Sequence, residues 1–422
     1  MVIVLVIDIF DQLNNGTTMT AYRFAQMLRK RGHEVRVVST GEPGPGKYVV
    51  EERYCPVATQ FAHSQGFAFA KTDREVFRRA FEGADVVHFL LPLPFECHAA
   101  QVAREMGIPT SAAFHLQPEN ITYIIHLNNH LKANQLMPKL IYKIFYKTFY
   151  KDFDHIHCPS RFIAEQLAKN GYPAKLHVIS NGVDDDFVPA KQPQSFDDGL
   201  FHILMVGRLS PEKRQRVLID AVAQSKYADK IQLHLAGNGP RKQKLMKQGQ
   251  KLVHPPIFGF YSKEDLIALT QKCDLYVHAS VIEIEAISCL EAFSCGLVPV
   301  ICNSEQSATR QFALDDRSLF VPDDSADLAR KIDYWIEHPQ ERAQMAVQYA
   351  KQGDTYRVEQ SILKAEKMFE EVIADYQHAH APADAAITQS VNGEQEADCM
   401  PLYTTDYAPD SVEENARDEQ YI

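Results

Sequence analysis

Residues 274–303 read DLYVHASVIEIEAISCLEAFSCGLVPVICN, and this stretch decides the fold class. Its two ends, DLYVHAS and LVPVICN, are short, rich in β-branched and apolar residues, and typical of buried strands. The residues between them have the length and apolar content of a helix. A strand, a helix and a second strand in close succession predict a βαβ unit within a parallel sheet.

The same alternation continues in both directions and fills two separate arrays. We therefore predict an α/β protein with two Rossmann-like, doubly wound domains that face a central cleft. The predicted strands are VIVLVIDIF (2–10), EVRVVST (34–40), DVVHFLL (85–91), PTSAAFH (109–115), HIHCPS (155–160) and KLHVISNG (175–182) in the first array, and HILMVGRLS (202–210), KIQLHLAGNG (230–239), PPIFGF (255–260), DLYVHAS (274–280), LVPVICN (297–303) and SLFVPDD (318–324) in the second.

A Pro- and Asp-rich stretch at 184–200 separates the two arrays and is predicted to be a linker. It divides the chain into an N-terminal domain at 1–183 and a C-terminal domain at 201–354. Residues 355–377 are predicted to form a long closing helix. The remaining residues, 378–422, are polar and acidic, and this composition predicts a disordered tail.

Charge is distributed unevenly along the chain, whose 422 residues carry a net −11. From Ala381 to Ile422, ten acidic residues accompany one basic residue, Arg417, so this tail carries −9 and residues 1–380 carry only −2. A nearly neutral body with local basic patches can approach an anionic surface. The 8 cysteines lack the C-x2-C pairs of structural zinc sites, which predicts reduced thiols in the core.

The apolar runs of the sequence bear on its location. None reaches the roughly 18 consecutive apolar residues that a spanning helix needs. The first strand, VIVLVIDIF, lacks the basic lead-in and the small-residue cleavage site of a signal peptide. We therefore expect a cytoplasmic protein.

Two pairs of charged residues follow predicted strands, at the edge where parallel sheets bind ligands. Arg208 and Lys213 lie in GRLSPEK, which contains a helix-start signal, so two cations and free helix amides can hold a diphosphate. Glu283 and Glu291 can accept hydroxyl protons from the two sugars of a sugar nucleotide. The alternatives are an ordinary helix start with surface charges for the first pair, and a helix cap with an exposed acid for the second.

These motifs, in this order, resemble the family-four retaining glycosyltransferases, which adopt the GT-B fold. The resemblance extends over roughly residues 1–375, and within the family the chain looks like the bacterial diacylglycerol glucosyltransferases. The matching pieces are GRLSPEK (207–213), the glutamates spaced E-x7-E, EAFSCGLVPVI (291–301), Asn181-Gly182-Val183-Asp184, the AGNGP turn (236–240) and Gly16 before a helix.

The resemblance implies roles for residues of the C-terminal, donor-side domain. Arg208 and Lys213 would bind the donor diphosphate, and Glu291 would bind the ribose. Glu283 would contact hydroxyls of the transferred sugar and stabilise positive charge that develops on it. The backbone amides of Ile284, Glu285 and Ala286 would hold the same sugar, and Tyr261 would border the nucleotide base.

The resemblance also implies two roles in the N-terminal, acceptor-side domain. Gly16 would let the backbone approach the donor phosphate, and His115 would face the reacting sugar, although a lone histidine is more often structural. The chain departs from the family where Asn15-Gly16 replaces two glycines and where Ile284–Ile287 replaces a glycine and an aromatic residue. The extra carboxylate, Glu285, lies where selectivity for the sugar is expected.

The stretch KLIYKIFYKTFYK (139–151) predicts a surface for the acceptor. On a helix, lysines spaced by four form one slowly winding stripe beside an apolar and tyrosine-rich face, which suits an anionic bilayer. Alternatively, the helix packs its apolar face on the core. Nucleic-acid binding is disfavoured because the basic stretch is short. The residues assigned to this surface are Lys139, Lys143, Phe145, Lys147 and Lys151.

Together these observations predict a retaining transferase that moves a hexose, glucose from UDP-glucose, to a lipid such as diacylglycerol. It would lie on the inner face of the plasma membrane. We expect no cofactor and no metal, and the acidic run at 184–186 is discounted because it lies in the linker. The alternatives are transfer to a soluble or polyprenyl-linked saccharide, and a non-catalytic protein that binds a sugar nucleotide. A sugar-nucleotide epimerase can share the fold, but the E-x7-E context favours transfer.

Overall fold

The computed structural model of the protein describes residues 1–11, 16–54, 59, 68–124, 133–192 and 194–381. Both predicted arrays lie in one compact unit, Met1–Tyr376, where they form two separate parallel sheets. The prediction of two doubly wound domains is therefore confirmed. The acidic tail beyond residue 381 lies outside the described residues.

The first sheet has the strand order β3-β2-β1-β4-β5-β6-β7. Its order reverses between β1 and β4, which is the point where doubly wound sheets open a crevice for ligands. The short edge strand β3 was not predicted, because three residues are too few for a visible alternation. The strands are β1 (Val2–Ile9), β2 (Glu34–Thr40), β3 (Lys47–Val49), β4 (Val86–Phe89), β5 (Thr110–Ala113), β6 (His155–Cys158) and β7 (Lys175–Val178).

The second sheet has the order β10-β9-β8-β11-β12-β13 and reverses between β8 and β11. Each of its strands overlaps a stretch that the sequence predicts. The strands are β8 (Phe201–Val206), β9 (Ile231–Ala236), β10 (Ile257–Gly259), β11 (Leu275–His278), β12 (Pro299–Cys302) and β13 (Leu319–Phe320).

Helices connect the strands and cover both sheets. Within the described residues, none is long and apolar enough to cross a bilayer. The helices are α1 (Gly16–Lys30), α2 (Arg74–Phe81), α3 (Pro94–Glu105), α4 (Pro118–Ile124), α5 (Ala133–Thr148), α6 (Arg161–Lys169), α7 (Gln215–Gln224), α8 (Lys242–Gly249), α9 (Lys263–Lys272), α10 (Ile287–Ser294), α11 (Ser325–Glu337), α12 (Pro339–Asp354) and α13 (Val358–Ala379).

The last helix, α13, leaves the second sheet and packs on the first. Its apolar face, which includes Ile362, Phe369 and Val372, joins a core cluster with Ile3 and Leu5 of β1. The crossover is held at its start by a parallel backbone bridge between Val183 and Arg357. The end of the chain thus completes the core beside the first sheet. The described part of 184–200 contains no helix or strand.

Candidate active site

The exits of β8 and β11 lie side by side at the reversal point of the second sheet, and they carry most of the predicted donor residues. Arg208 follows β8, and Lys213 ends a single 3-10 turn, Pro211–Lys213. The neighbouring AGNGP turn needs its glycine, because a Cβ at Gly237 (φ 149°) would fall 2.0 Å from the Gly207 carbonyl oxygen. The AGNGP turn therefore packs closely against the backbone at Gly207. This contact holds the loop that carries Arg208 and Lys213 beside Glu283.

Glu283 is the centre of a buried ion cluster. Its carboxylate accepts a very short hydrogen bond from the Lys213 ammonium, and Oε1 lies 3.2 Å from His278 Nε2. Burial by itself would raise the pKa of Glu283, but Lys213 and His278 lower it to about 2. Glu283 is therefore a carboxylate at neutral pH, and its charge is directed at the cleft before any ligand binds.

Glu291, on α10, belongs to a second cluster that joins the two halves of the molecule. Arg23 of α1 lies 3.4 Å from Glu291 Oε1 and 3.0 Å from Asp184 Oδ2, and it also donates to the Gly182 carbonyl oxygen. Burial raises the pKa of Glu291 to about 7, although Arg23 opposes this shift. The acidic run at 184–186 is engaged by cations, since Asp184 also pairs with Lys263 at 3.1 Å.

The loop between Glu283 and α10 faces the N-terminal half. The amide of Asn181 donates to Glu285 Oε2 (2.9 Å), and Ser160 Oγ donates to the Ile284 carbonyl oxygen (2.5 Å). Burial raises the pKa of Glu285 to about 7. Glu285 thus contacts the N-terminal half through Oε2, while its buried Oε1 has no hydrogen-bond partner among the described residues, and its link to sugar selectivity stays a prediction.

Ala286 starts α10 in the left-handed conformation, with φ 70° and ψ 64°. Among the described residues, none accepts a hydrogen bond from the amides of Ile284, Glu285 or Ala286. These amides precede a helix N-terminus, where free donors and the helix dipole favour an oxygen ligand. That the backbone of this loop holds the sugar stays a prediction.

His115 follows β5 by two residues and is almost fully buried. Its ring lies 5.2 Å from that of His157, in an edge-to-face arrangement, and neither ring nitrogen has a hydrogen-bond partner within the described part of the chain. Burial, together with His157 and His88, lowers the pKa of His115 well below its usual value. The imidazole is neutral, so it can donate one hydrogen bond to a sugar hydroxyl without placing a charge there.

The segment that carries His115 also contacts the Glu283 side of the cleft. Gln117 Nε2 donates to the Gln306 carbonyl oxygen at 3.1 Å. The backbone of the next residue, Ser307, pairs with Glu283, and the Ala308 amide donates to the Glu283 carbonyl oxygen at 2.9 Å. The two predicted catalytic residues are thus carried on segments that meet across the cleft.

Two predicted donor residues receive less direct support from their surroundings. A Cβ at Gly16 would meet no atom within 4 Å, so the protein itself does not require glycine there, and the expected need depends on a bound phosphate. Tyr261 is partly buried, and its ring covers Gly259, where a Cβ would fall 2.2 Å from the ring. Tyr261 therefore has a packing role in addition to its predicted place beside the base.

The predicted acceptor surface is divided between core and solvent. Lys139, Lys143 and Lys147 are exposed along α5, but Lys151 lies beyond its end, in a 3-10 turn at Tyr150–Asp152. Phe145 is partly buried, and its ring packs against the core of the first sheet, 6.4 Å from that of Phe114, so its place on this surface stays a prediction. The expected tyrosine face is also largely buried, including Tyr142 and Tyr150.

Instead of the expected tyrosine-rich face, α5 exposes a narrower stripe of apolar residues. Leu136, Leu140 and Ile144 are 72%, 50% and 47% exposed. Their spacing of four matches that of the lysines, so the two rows run side by side along α5. The surface that α5 presents is therefore amphipathic, with different apolar residues from those that the sequence indicated.

Two residues that the sequence did not single out complete the site. His278 lies within a strand and looked like an ordinary core residue, but it contacts Glu283. Arg23 lies in the middle of α1, far along the chain from Asp184 and Glu291. Sequence spacing carries no signal for contacts of this kind.

Two family models match consecutive segments of the chain. The model for Glycosyltransferase Family 4 matches residues 14–187, and the model for Glycosyl transferases group 1 matches residues 188–353. With the paired sheets and the charged cleft, these matches define the protein as a GT-B glycosyltransferase. The chain belongs to glycosyltransferase family 4.

The names of two curated relatives give different sugars. The chain is 24% identical to the alpha-monoglucosyldiacylglycerol synthase of Streptococcus pneumoniae over 65% of this chain, and the match spans only 65% of that relative's length. It is 26% identical to a GDP-mannose-dependent alpha-mannosyltransferase of Mycolicibacterium smegmatis, over 68% of this chain and 75% of the relative.

Two solved structures resemble the chain, and the first of them shows the same fold. HepE of Anabaena in complex with UDP has a TM-score of 0.67 at 18% identity, covering 88% of this chain and 99% of its own. The catalytic domain of cholesterol-alpha-glucosyltransferase from Helicobacter pylori is 52% identical, covering 37% of this chain and 99% of its own, with a TM-score of 0.35.

Proposed function

We propose that this glycosyltransferase is a retaining hexosyltransferase that moves glucose from UDP-glucose to a hydroxyl-bearing membrane lipid such as diacylglycerol. The observation that carries the proposal is the buried cluster of Lys213, Glu283 and His278, beside Arg208 at the exits of β8 and β11. Its cations can bind a diphosphate, and its carboxylate can bind a sugar in the same cleft. The names of the diacylglycerol-glucosylating relative and of the UDP-bound HepE support the donor and acceptor classes.

In the proposed reaction, the bond between the sugar C1 and the donor phosphate breaks, and a bond from C1 to the lipid oxygen forms on the same face. Arg208 and Lys213 stabilise the negative charge of the departing diphosphate. The departing phosphate oxygen takes the proton of the lipid hydroxyl. Glu283 holds a sugar hydroxyl and stabilises positive charge on the ring, and neutral His115 donates to another hydroxyl. The donor is the one co-substrate, and we expect no cofactor.

A cavity of about 330 Å³ offers a path for the acceptor. It is lined by Lys139 and Tyr142 of α5, by Glu119 of α4, and by Gln306, whose neighbour Ser307 pairs with Glu283. One wall is thus the amphipathic helix and the other wall adjoins the cleft. A lipid held at the exposed stripe of α5 would present its hydroxyl toward the donor.

Transfer is tested with labelled UDP-glucose, UDP-galactose and GDP-mannose, each with vesicles that contain diacylglycerol or a sterol as the hydroxyl-bearing lipid. We expect labelled lipid with UDP-glucose. No labelled lipid with any donor would reject the lipid acceptor and leave a saccharide acceptor or a non-catalytic role. If Glu283→Gln transfers at the wild-type rate, the donor-site assignment is wrong.

Membrane contact is tested by sedimentation with anionic vesicles. Replacing Lys139, Lys143 and Lys147 with glutamate should abolish co-sedimentation, since each lysine near an anionic surface contributes up to about 1 kcal/mol. Replacing Leu136, Leu140 and Ile144 with asparagine should weaken it by removing buried apolar area. The control replaces Lys191, Lys351 and Lys364 with glutamate, an equal change in charge at other exposed sites. Equal loss in the control would show that only net charge matters.

A further inference from the structure

A cluster of histidines and acids lies on the first sheet, away from the cleft. His155 is the first residue of β6, and His177 lies on the adjacent edge strand β7. The cleft residues lie beyond the carboxyl ends of the strands, so His155 is at the opposite end of the sheet. The proposed transfer reaction makes no use of these side chains.

Helix α13 brings two carboxylates to these histidines. Glu371 and Asp375 are one helical turn apart and therefore lie on the same face of α13. Asp375 Oδ2 is 3.1 Å from His155 Nε2, and Glu371 Oε2 is 3.9 Å from His177 Nδ1. The two imidazoles are themselves joined, since His155 Nδ1 lies 2.9 Å from His177 Nε2.

We propose that His155, His177 and Glu371 form a binding site for a divalent metal of the zinc class, with the fourth position open to water. One donor atom from each of the three residues lies within 4.8 Å of the others. Ligands about 2.0–2.2 Å from a tetrahedral zinc ion are roughly 3.3 Å apart, so modest side-chain rotations close the site. Two imidazoles with a carboxylate are a donor set that suits zinc better than calcium or magnesium.

The neighbouring residues indicate how an ion would enter and what opposes it. Asp375 is 57% exposed, whereas His155 is almost completely buried, so the site opens to solvent on its carboxylate side. Lys175 Nζ lies 2.7 Å from Glu371 Oε2, so it forms an ion pair with the carboxylate that would bind the metal. A bound metal would displace this ammonium group, which makes Lys175 an internal competitor for the site.

The metal would link three segments that are distant in the chain. Because β6, β7 and α13 each supply a ligand, binding would fasten the closing helix to the first sheet. An ion that binds only the folded protein stabilises it by mass action. The expected effect is on unfolding rather than on the chemistry of the cleft.

The test uses the full chain without an affinity tag, stripped with a chelator and titrated calorimetrically with Zn²⁺. We expect one Zn²⁺ per chain and a rise in Tm when Zn²⁺ is added. His177→Gln and Glu371→Gln should each weaken binding by at least about tenfold, as loss of a supporting metal contact typically does. His254→Gln is the control, since this histidine is only partly buried and is bonded to the Asp229 carbonyl oxygen.

Lys175→Met separates a metal site from a folding defect. Removing the competing ammonium should tighten Zn²⁺ binding, a result that a destabilised protein does not produce. Circular dichroism in chelator checks that each variant is folded before titration. The proposal is overturned if wild type shows no saturable Zn²⁺ binding, or if binding is unchanged in both His177→Gln and Glu371→Gln.

Discussion

Two buried carboxyl groups at the carboxyl edges of the sheets, Glu283 of the second and Asp8 of the first, have pKa values shifted in opposite directions. At the second sheet, Glu283 is paired with Lys213 and His278, and these partners lower its pKa to about 2 despite burial. At the first sheet, burial raises the pKa of Asp8 to about 6, and it raises that of the neighbouring Glu96 well above its usual value. Glu283 therefore keeps its charge, whereas burial favours the neutral forms of Asp8 and Glu96, as it does for Glu285 and Glu291 beside Glu283.

This difference fits a division of labour between the two halves. A nucleotide diphosphate is highly charged, so its site benefits from cations and carboxylates that are already in place. A lipid hydroxyl is neutral, so the opposite wall needs hydrogen-bonding groups but no net charge, as neutral His115 provides. If the two halves differ in this way, loss of the partner of Glu283 should impair transfer, whereas replacement of Asp8 should change how stability depends on pH.

The largest effect is expected for Lys213→Ala, which removes the partner of Glu283 and a cation of the proposed diphosphate site. The transfer rate should fall about 10²–10³-fold, the range for loss of one preorganised charged contact. Single-turnover transfer of labelled sugar measures it. Lys226→Ala is the matched control, because the Lys226–Glu337 pair (2.8 Å) lies at the surface and exposed pairs contribute little. Wild-type transfer by Lys213→Ala would make the buried pair purely structural.

A pH-dependent effect on stability is expected for Asp8→Asn. The pKa of Asp8 rises from its usual 3.8 to about 6 on folding, mainly through burial. Its contribution to the free energy of unfolding is therefore complete below about pH 4 and is lost as the pH rises through about 6. The variant does not titrate, so at pH 8 it should exceed wild type by up to about 3 kcal/mol relative to their difference at pH 4.

Denaturant unfolding of both proteins across this pH range gives the measurement. Glu165→Gln, an exposed change on α6, removes one carboxyl group without burial and should follow wild type at each pH. Parallel pH profiles for Asp8→Asn and wild type would mean that the first sheet does not suppress this charge.

A smaller effect is expected for Arg23→Gln, which removes the cation that joins α1 to Glu291 and Asp184. We expect a loss of about 1.5–3 kcal/mol in the free energy of unfolding, typical of hydrogen bonds to charged groups. The donor KM should rise more than kcat falls, since Glu291 is proposed to bind the ribose. Arg330→Gln is the control because Arg330 is mostly exposed. An unchanged donor KM would separate Arg23 from donor binding.

The smallest effect is expected for Ala286→Gly in the loop before α10. Ala286 has a positive φ of 70°, which costs a residue with a Cβ about 1–2 kcal/mol. Glycine relieves that cost but loses part of the gain through greater freedom in the unfolded chain. Thermal unfolding should show a net stabilisation of about 0.5–1 kcal/mol. A less stable variant would show that the alanine methyl group is needed for packing.

Most of the fold could be predicted from the sequence because both arrays repeat one local pattern. The strand VIVLVIDIF is buried along nearly its whole length, and its composition alone indicates this. The short edge strand Lys47–Val49 has no such pattern. The sequence also could not predict that Tyr142 of α5 is buried while Leu140 is exposed. Which residues are buried depends on which face of α5 packs against the first sheet.

The candidate site was predictable where its residues follow a strand. Lys213 and Glu283 belong to such segments, and the structure brings them together. Arg23 of the N-terminal domain contacts Glu291 and Asp184, and Glu285 accepts a hydrogen bond from the Asn181 amide. Both outcomes depend on how the two halves meet, a property that no local stretch encodes.

The return of α13 to the first sheet has a consequence for synthesis of the protein. Residues 1–178 supply every strand of that sheet, but the core beside β1 lacks its last layer until Phe369 and Val372 have left the ribosome. The second sheet can close earlier, since its strands are nearly contiguous in the chain. The domain that is translated first is therefore the last to be completed, and its apolar face stays uncovered until α13 has been synthesised.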